Sequence, residues 1–177
     1  MRALRSYRGA RGSDKQPGEV RSTQNWIASG GATLKNATYV PSNVDDTNDA
    51  LRDLDRFINE ADNVDPIVKA SLVHYQFETI HPFLGGNGRL GRLLITLSLM
   101  NDHALSAAVF YPSYQLKLRR SEYYGRLMDV RENGEYAKWV GFFCDCLLAS
   151  AEDAVGSLER LVNLHNTNAA LVLVRAV

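Results

Sequence analysis

The sequence predicts an all-α protein, a bundle of six or seven helices around a buried central helix, with one short β-hairpin. Apolar side chains recur at helical spacing over most of the chain. The run LLITLSLM at residues 93–100 is apolar on nearly all sides, which is typical of a helix inside a core. Only residues 24–43 combine glycines with β-type residues in a pattern that favours a hairpin.

Length and composition limit the class of protein. The chain has 177 residues, of which 45% are hydrophobic and 23% charged, so we expect a single domain over residues 1–177. Twenty basic residues balance twenty acidic ones, and no global field favours nucleic acid or an anionic membrane. No apolar stretch has the length of a membrane span, and the N-terminus lacks the hydrophobic region of a signal peptide. These features predict a cytoplasmic protein.

The first part of the chain is polar and then changes character. Residues 1–22 contain six basic side chains, which we interpret as the solvated face of a short helix and loop. In residues 24–43, a Gly-Gly step precedes Thr38, Tyr39 and Val40, whose side chains suit a strand. The same letters are also compatible with an irregular loop, so this hairpin is the weakest structural prediction from the residues alone.

Two amphipathic helices are predicted next. Apolar residues recur at i, i+3, i+6 and i+7 over Val44–Glu60. Asp65 then caps a second helix whose first residue is Pro66. This second helix leads directly to His81, and its His74 is interpreted as a packed or surface histidine in preference to a second catalytic group. The predicted inward residues of the second helix are Ile67, Ala70, Val73, His74, Phe77 and Ile80.

Two further helices are predicted in the last third of the chain. Ser113 is expected to cap a helix that runs to residue 128, and a long helix follows at about residues 135–164. Cys144 and Cys146 lie two residues apart and point to different helix faces, so buried thiols are favoured over metal ligands. The predicted inward residues of the last helix are Trp139, Val140, Phe142, Phe143, Leu147, Leu158 and Leu161.

The stretch HPFLGGNGRLGR, residues 81–92, contains the candidate functional residues. Its first three glycines can adopt positive φ, which lets backbone amides converge where a helix begins and bind phosphate. Arg89 and Arg92 lie three residues apart, on one face of that helix. His81 suits a general base, because the pKa of imidazole lies near neutrality. Asn87 offers an amide that either contacts a phosphoryl oxygen or orients the turn.

This stretch resembles the signature of the Fic (Fido) family, H-x-F-x-(D/E)-G-N-G-R-x-x-R. The matching residues are His81, Phe83, Gly86, Asn87, Gly88, Arg89 and Arg92. The segments GEVRSTQNWI, NATYVP, EYYGRL and W-x-x-FF also look like family sequence. The resemblance implies a Fic-type helical bundle, in which a β-hairpin flap covers the site and receives an extended segment of a target protein.

The resemblance implies an activity as well. Most Fic proteins transfer AMP from ATP to a hydroxyl side chain of a target protein, so a serine, threonine or tyrosine would be the acceptor here. His81 would take the proton from that hydroxyl, and the two arginines would hold the outer phosphates of ATP. The implied phosphate-binding residues are Gly86, Asn87, Gly88, Arg89 and Arg92. The implied target-docking residues are Thr38, Tyr39 and Val40.

Gly85 departs from the signature, because the family usually carries at this position an acid that holds Mg²⁺. Glycine has no ligand to offer, so no metal ligand is predicted, and any Mg²⁺ depends on another group or on the phosphates themselves. Three hypotheses stay open: AMP transfer, Fic-type transfer of UMP, phosphate or phosphocholine, and a non-catalytic nucleotide-binding regulatory module.

Regulation is expected to involve segments or partners outside this chain. Many relatives carry an inhibitory helix with the pattern (S/T)-x-x-x-E-(G/N), whose glutamate pairs with the second arginine of the motif. The pattern does not occur in this sequence. The resemblance therefore implies either an inhibitory partner or a missing inhibitory helix. It also implies a chain that is shortened at both ends relative to longer family members.

Overall fold

The computed structural model describes residues 18–28, 34–109 and 111–175, and its helical architecture confirms the predicted fold class. Most of the basic segment predicted over residues 1–22 and the centre of the predicted flap lie outside the described residues. The described α-helices are α1 Val44–Glu60, α2 Pro66–Ile80, α3 Asn87–Asn101, α4 Ser113–Leu118, α5 Arg120–Asn133 and α6 Tyr136–Arg175. A 3₁₀ turn, Leu34–Asn36, precedes them.

The chain divides into two compact units between Ala104 and Leu105. The first unit contains α1, α2 and α3, and the second contains α4, α5 and α6. The expected single domain over the whole chain stays a prediction. Among the described residues, no helix combines the length and the apolar character that a membrane span requires.

Side-chain caps determine where the first two helices begin. The side-chain oxygen of Asn43 accepts a hydrogen bond from the amide of Asp46, and α1 starts at Val44, directly after Asn43. The carboxylate of Asp65 accepts hydrogen bonds from the amides of Ile67 and Val68 at the start of α2. Each cap stabilises its helix by about 1 kcal/mol. The predicted bounds of α1 and the predicted start of α2 are confirmed.

The core of the first unit is an apolar cluster between α1, α2 and α3. Leu54 of α1 is buried together with Val73, Phe77 and Ile80 of α2, and residues of α3 pack against them. The predicted inward face of α2 is buried except at its start, where Ile67 is 40% exposed. The cluster lies directly beneath the turn from α2 to α3, so it supports the end of α2.

The apolar run at residues 93–100 forms most of α3. Ile95 and Leu99 are buried, whereas Leu93 and Leu97 are about half exposed, at 54% and 50%. Thr96 and Ser98 complete the buried face in place of those two leucines. The face of α3 that packs on α2 decides which of its residues are buried. Apolar residues on the other faces of α3 therefore stay exposed.

The second unit is built around Trp139 of α6, which is fully buried. Its ring centroid lies 6.0 Å from that of Tyr123, 6.1 Å from that of Phe142 and 5.7 Å from that of Phe143. Burial raises the pKa of the Cys146 thiol to about 11, so this thiol stays protonated at neutral pH. The interpretation of this cysteine as a buried thiol is confirmed.

Three predictions about the second unit are wrong. The helix expected over residues 113–128 is divided at Arg119 into α4 and α5, because the backbone of this residue has φ −94° and ψ 34°. The last helix continues to Arg175, well beyond residue 164. Leu158 and Leu161, which were expected to face inward, are exposed at 48% and 61%. Both positions are helical, as the spacing predicts, but the described residues leave these two side chains exposed.

Candidate functional site

The turn between α2 and α3 opens with a histidine in the left-handed conformation. His81 follows α2 directly, with φ 48° and ψ 59°, and its amide donates a hydrogen bond to the carbonyl of Phe77 at 3.0 Å. Residues other than glycine are uncommon in the left-handed region of φ and ψ, and such backbone strain is frequent at functional sites. The His81 side chain is half-buried at the end of α2.

Two side chains from the segment before α1 hold the backbone of this turn. Arg21 Nε and Asn25 Nδ2 each donate a hydrogen bond to the carbonyl of His81 at 3.2 Å. Asn25 Nδ2 also donates to the carbonyl of Phe83 at 3.0 Å, and the amide of Arg21 donates to the carbonyl of Pro82 at 2.8 Å. Arg21 is only 2% exposed, so its interpretation as part of a solvated basic face is wrong.

The N-terminus of α3 begins at a glycine that needs its conformational freedom. Gly86 has φ 89° and ψ 0°, and its carbonyl accepts hydrogen bonds from the amides of Arg89 and Leu90. Of the four glycines in residues 81–92, Gly86 alone has positive φ. The first amides of a helix have no partner within it and point out of its end, where the helix dipole is positive. This geometry is suited to binding a phosphate group.

Asn87 braces the turn from inside. It is 2% exposed, its Oδ1 accepts a hydrogen bond from the amide of Phe83 at 2.9 Å, and its Nδ2 donates to the carbonyl of Phe83 at 2.7 Å. Phe83 in turn packs on the apolar cluster, with its ring 6.4 Å from that of Phe77. Of the two roles that the sequence left open for Asn87, these contacts favour orientation of the turn.

The two motif arginines both turn back towards the N-terminus of α3. A Cβ atom placed on Gly86 would lie 3.6 Å from Nη2 of Arg89, and one placed on Gly88 would lie 3.2 Å from Nη1 of Arg92. Arg89 is exposed and Arg92 is half-buried. The two guanidinium groups therefore add their charge to the helix end at which an anion is already favoured.

A buried carboxylate that the sequence analysis did not single out lies under the same helix end. Glu78 is 5% exposed, and its Oε1 would lie 3.8 Å from a Cβ atom on Gly88. A Cβ atom on Gly91 would overlap Oε1 of Glu78. Gly91 therefore makes room for this carboxylate. A glycine inside a helix was the only available signal of such a close contact.

His74 of α2 forms a buried hydrogen bond to the backbone of α3. It is fully buried, and its Nδ1 donates a hydrogen bond to the carbonyl of Gly91 at 2.8 Å. Burial lowers the pKa of His74 to about 4, so the imidazole is neutral at pH 7. The interpretation of His74 as a packed residue is confirmed.

The described part of the flap is a single antiparallel bridge between Ile27 and Tyr39. The amide of Ile27 donates to the carbonyl of Tyr39 at 2.8 Å, and the amide of Thr38 donates to the carbonyl of Ile27 at 2.8 Å. The hydroxyl of Tyr39 donates to the carbonyl of Thr79 at 2.8 Å, which fastens this segment to the end of α2. Thr38 and Val40 are exposed beside the bridge.

In the part of the chain that the structure describes, the residues do not fit a magnesium ion held by protein side chains alone. Within the described ranges, no three His, Cys, Asp or Glu side chains are grouped closely enough to bind a metal ion. Position 85 is an exposed glycine. The buried carboxylate of Glu78 lies against Gly88 and Gly91 of α3. We therefore assign no metal ligand.

Fold and site together define a helical protein in which a helix N-terminus with two nearby guanidinium groups follows a left-handed histidine. The family model described as the Fic/DOC family matches residues 3–99, which include the whole motif. The chain belongs to the Fic/DOC family, and the resemblance noted from the motif is confirmed.

Curated relatives match a large share of this chain. It is 30% identical over 145 residues to "Protein adenylyltransferase fic-1" of Caenorhabditis elegans, covering 81% of this chain and 26% of that protein. It is 31% identical over 131 residues to "Protein adenylyltransferase Fic" of Drosophila grimshawi, covering 73% of this chain and 24% of that protein. The chain thus spans about a quarter of the length of these relatives.

Solved structures show the same fold. A Fic family protein from Desulfovibrio desulfuricans G20 superposes with a TM-score of 0.69 at 30% identity, over 83% of this chain and 43% of that one. A Fic-1 fragment from C. elegans superposes with a TM-score of 0.55 at 26% identity, over 80% of this chain and 38% of that one.

Proposed function

We propose that this chain carries the catalytic core of a protein adenylyltransferase, which transfers AMP from ATP to a serine, threonine or tyrosine hydroxyl of a target protein. One observation carries the proposal: His81, the left-handed Gly86 and the guanidinium groups of Arg89 and Arg92 belong to one turn and one helix end. The names of the relatives, which are protein adenylyltransferases, support it.

The helix end would hold the triphosphate. Outward-facing amides of Gly86, Asn87 and Gly88 suit the α-phosphate, because they present donors at the positive end of the helix dipole. Arg89 and Arg92 suit the outer phosphates, since a planar guanidinium group can donate two parallel hydrogen bonds to phosphate oxygens. Each hydrogen bond to a charged group contributes about 1.5–3 kcal/mol, so the arginines should dominate ATP affinity.

His81 would act on the acceptor. The hydroxyl oxygen of the target attacks the α-phosphorus, the bond from that phosphorus to the bridging oxygen breaks, and pyrophosphate leaves. The hydroxyl proton moves to the imidazole, and the two arginines neutralise charge on the departing pyrophosphate. A general base of this kind contributes about 10²–10⁴-fold to the rate.

The flap would position the target. An extended peptide can pair with an exposed backbone edge, and Thr38, Tyr39 and Val40 lie on such a segment. The hydroxyl of Tyr39 fastens this segment to Thr79, two residues before His81. A peptide docked on the flap would therefore be held at a defined distance from the proposed base.

One alternative is favoured by a specific observation. Because position 85 is a glycine, and the described residues contain no group of three His, Cys, Asp or Glu side chains that could hold a metal ion, a non-catalytic nucleotide-binding module is consistent with the same helix end. Fic-type transfer of UMP, phosphate or phosphocholine is distinguished from AMP transfer by the group that becomes attached.

The deciding experiment is intact-protein mass spectrometry of the full chain and of a cell lysate after incubation with ATP labelled in the adenine or in the γ-phosphate. Addition of AMP that carries the adenine label and is absent with His81→Ala supports the proposal. Calorimetric ATP binding without any covalent addition supports the nucleotide-binding module instead. Transfer of the γ-label would identify a phosphotransferase.

A further inference from the structure

The backbone of His81 adopts a conformation that its local sequence disfavours. The residue before a proline is driven towards extended or polyproline conformations, and His81 precedes Pro82. Its observed φ of 48° and ψ of 59° are left-handed, which a residue with a Cβ atom also disfavours. Something outside the turn must therefore hold His81 in this conformation.

The hydrogen bonds to its carbonyl supply that restraint. The carbonyl of His81 has two lone pairs, and Arg21 Nε and Asn25 Nδ2 each donate to it. Asn25 Nδ2 also reaches the carbonyl of Phe83. An extended His81 would turn its carbonyl away from both donors, so these bonds are specific to the left-handed conformation.

The contacts of the Arg21 side chain indicate that it orients the backbone of other residues. Among the described residues, its side-chain acceptors are uncharged: besides the His81 carbonyl, they are the carbonyl of Ser42 and, at 2.8 Å, Oγ1 of Thr47. Desolvation by burial lowers the pKa of Arg21 from its usual value. A buried cation without an anionic partner is costly, but the guanidinium group offers several donors in one rigid plane. One end of that plane is anchored at the start of α1, and the other reaches His81.

We propose that Arg21, together with Asn25, is a positioning residue that holds His81 in its left-handed conformation and thereby aims the imidazole at the N-terminus of α3. The direction of the Cα–Cβ bond depends on the backbone angles, so a change at the His81 carbonyl moves the imidazole. This inference rests on the proposed function of His81 as the base.

The test compares variants of the full chain that differ in which bond they remove. Arg21→Gln and Arg21→Lys both remove the guanidinium group, and the lysine keeps the positive charge. Asn25→Ala removes the second donor to the His81 carbonyl and leaves Arg21 in place. Thr47→Val is the matched control, because it removes a buried partner of Arg21 without touching His81.

We expect both Arg21 variants to lower kcat for AMP transfer about 10- to 100-fold, since a displacement of about 1 Å can cost about 100-fold. Asn25→Ala should show a smaller loss. The ATP dissociation constant should change less than about twofold in each variant, because the phosphate-binding groups are on α3. Thr47→Val should keep the kcat of the wild type even where it lowers the melting temperature.

A second readout does not depend on activity. In nuclear magnetic resonance spectra, the Cα and ring nitrogen shifts of His81 should change in the Arg21 and Asn25 variants and stay unchanged in Thr47→Val. A folded Arg21→Gln protein with wild-type kcat and wild-type His81 shifts would overturn the inference. So would a Thr47→Val protein that loses as much kcat as Arg21→Gln does. If the wild type transfers nothing, the proposed function fails, and the His81 shifts still decide the positioning role.

Discussion

The residues around the N-terminus of α3 serve different parts of the proposed reaction, so their substitution should have separable effects. His81 lies at the end of α2 and would act on the acceptor hydroxyl, whereas the amides and arginines of α3 would hold the nucleotide. Binding and transfer can therefore be measured independently at this site.

Replacement of His81 by alanine should remove transfer and retain nucleotide binding. We expect a fall in the transfer rate of at least about 100-fold, because general-base catalysis contributes about 10²–10⁴-fold. Calorimetric titration should give an ATP affinity within about twofold of the wild type. Substitution of the exposed His103 is the matched control and should change neither quantity. Undiminished transfer by His81→Ala would reject the assignment of the base.

Arg89→Ala should weaken the binding of ATP more than that of AMP. The guanidinium group lies beside Gly86 and is assigned to the outer phosphates, which AMP lacks. Loss of a hydrogen bond to a charged group costs about 1.5–3 kcal/mol, so ATP affinity should fall about 10- to 100-fold. Calorimetry with both nucleotides measures the difference, with the exposed Arg56→Ala as control. Equal losses for ATP and AMP would show that Arg89 supports the structure and not the outer phosphates.

Gly85→Asp should lower the Mg²⁺ concentration that gives half-maximal transfer. Carboxylates and substrate phosphates together are the usual ligands of Mg²⁺, and the variant would supply the carboxylate. Gly85 is exposed and is not among the positive-φ residues, so aspartate should fit without backbone strain. Gly85→Asn is the uncharged control, and thermal unfolding of both variants checks the fold. If the Mg²⁺ dependence of Gly85→Asp matched that of the wild type, position 85 would not limit metal use.

Among the secondary-structure elements, the flap segment depends most on its connections to other parts of the chain. The bridge between Ile27 and Tyr39 contributes few hydrogen bonds, and the Tyr39 hydroxyl adds one to the end of α2. A two-stranded ribbon is marginally stable by itself. The conformation of the flap near the site therefore depends on these anchors.

Val40→Pro should impair transfer to a protein target more than it impairs ATP binding. Proline removes the Val40 amide proton, which a docked strand can use, and Val40 lies at the exposed edge of the flap. Val40→Ala keeps that proton and should transfer normally. Thr38→Pro should be more damaging, because the Thr38 amide already donates to Ile27 within the flap. Normal target modification by Val40→Pro would place target docking elsewhere.

At the scale of the whole molecule, stability and site are linked through buried polar contacts between α2 and α3. His74 and Glu78 on α2 both lie against Gly91 of α3, one through a hydrogen bond and the other through close contact. The position of the N-terminal half of α3 is thus set by side chains of α2 as well as by the turn itself.

The buried His74 should make the free energy of unfolding depend on pH. Its folded pKa of about 4 lies below the unfolded value of 6.5, so the unfolded state binds the proton more readily. Stability is therefore highest above pH 6.5 and falls as the pH is lowered towards 4. We expect the free energy of unfolding to fall by about 2 kcal/mol between pH 7 and pH 5 from this group alone.

Urea unfolding followed by circular dichroism at several pH values measures this dependence. His74→Asn should lose it, while the asparagine amide can still donate to the Gly91 carbonyl. Replacement of the exposed His103 by asparagine should leave the dependence intact. A pH dependence that is the same in His74→Asn and in the wild type would contradict the burial of a neutral imidazole.

Local signals predicted a large part of this protein from its sequence. Caps and periodicity act over about one helical turn, which is why the bounds of α1 and the start of α2 at Asp65-Pro66 were predicted correctly. The motif at residues 81–92 was also readable, because its glycines, histidine and arginines are close in the chain. Its assignment to the Fic/DOC family followed from that spacing.

Only the tertiary structure showed what holds the site in place. Arg21 and His81 are 60 positions apart, and no local pattern in the sequence indicates that Arg21 is buried. The burial of Glu78 against Gly91 was likewise visible only in the tertiary structure. So was the exposure of Leu158 and Leu161, whose helical spacing predicted burial. The sequence by itself thus determined the bounds of α1, the start of α2 and the chemical groups of the motif. Contacts between distant segments decided which side chains are buried and which donors orient His81. Both depend on how the helices and loops pack against one another, which local sequence patterns do not encode.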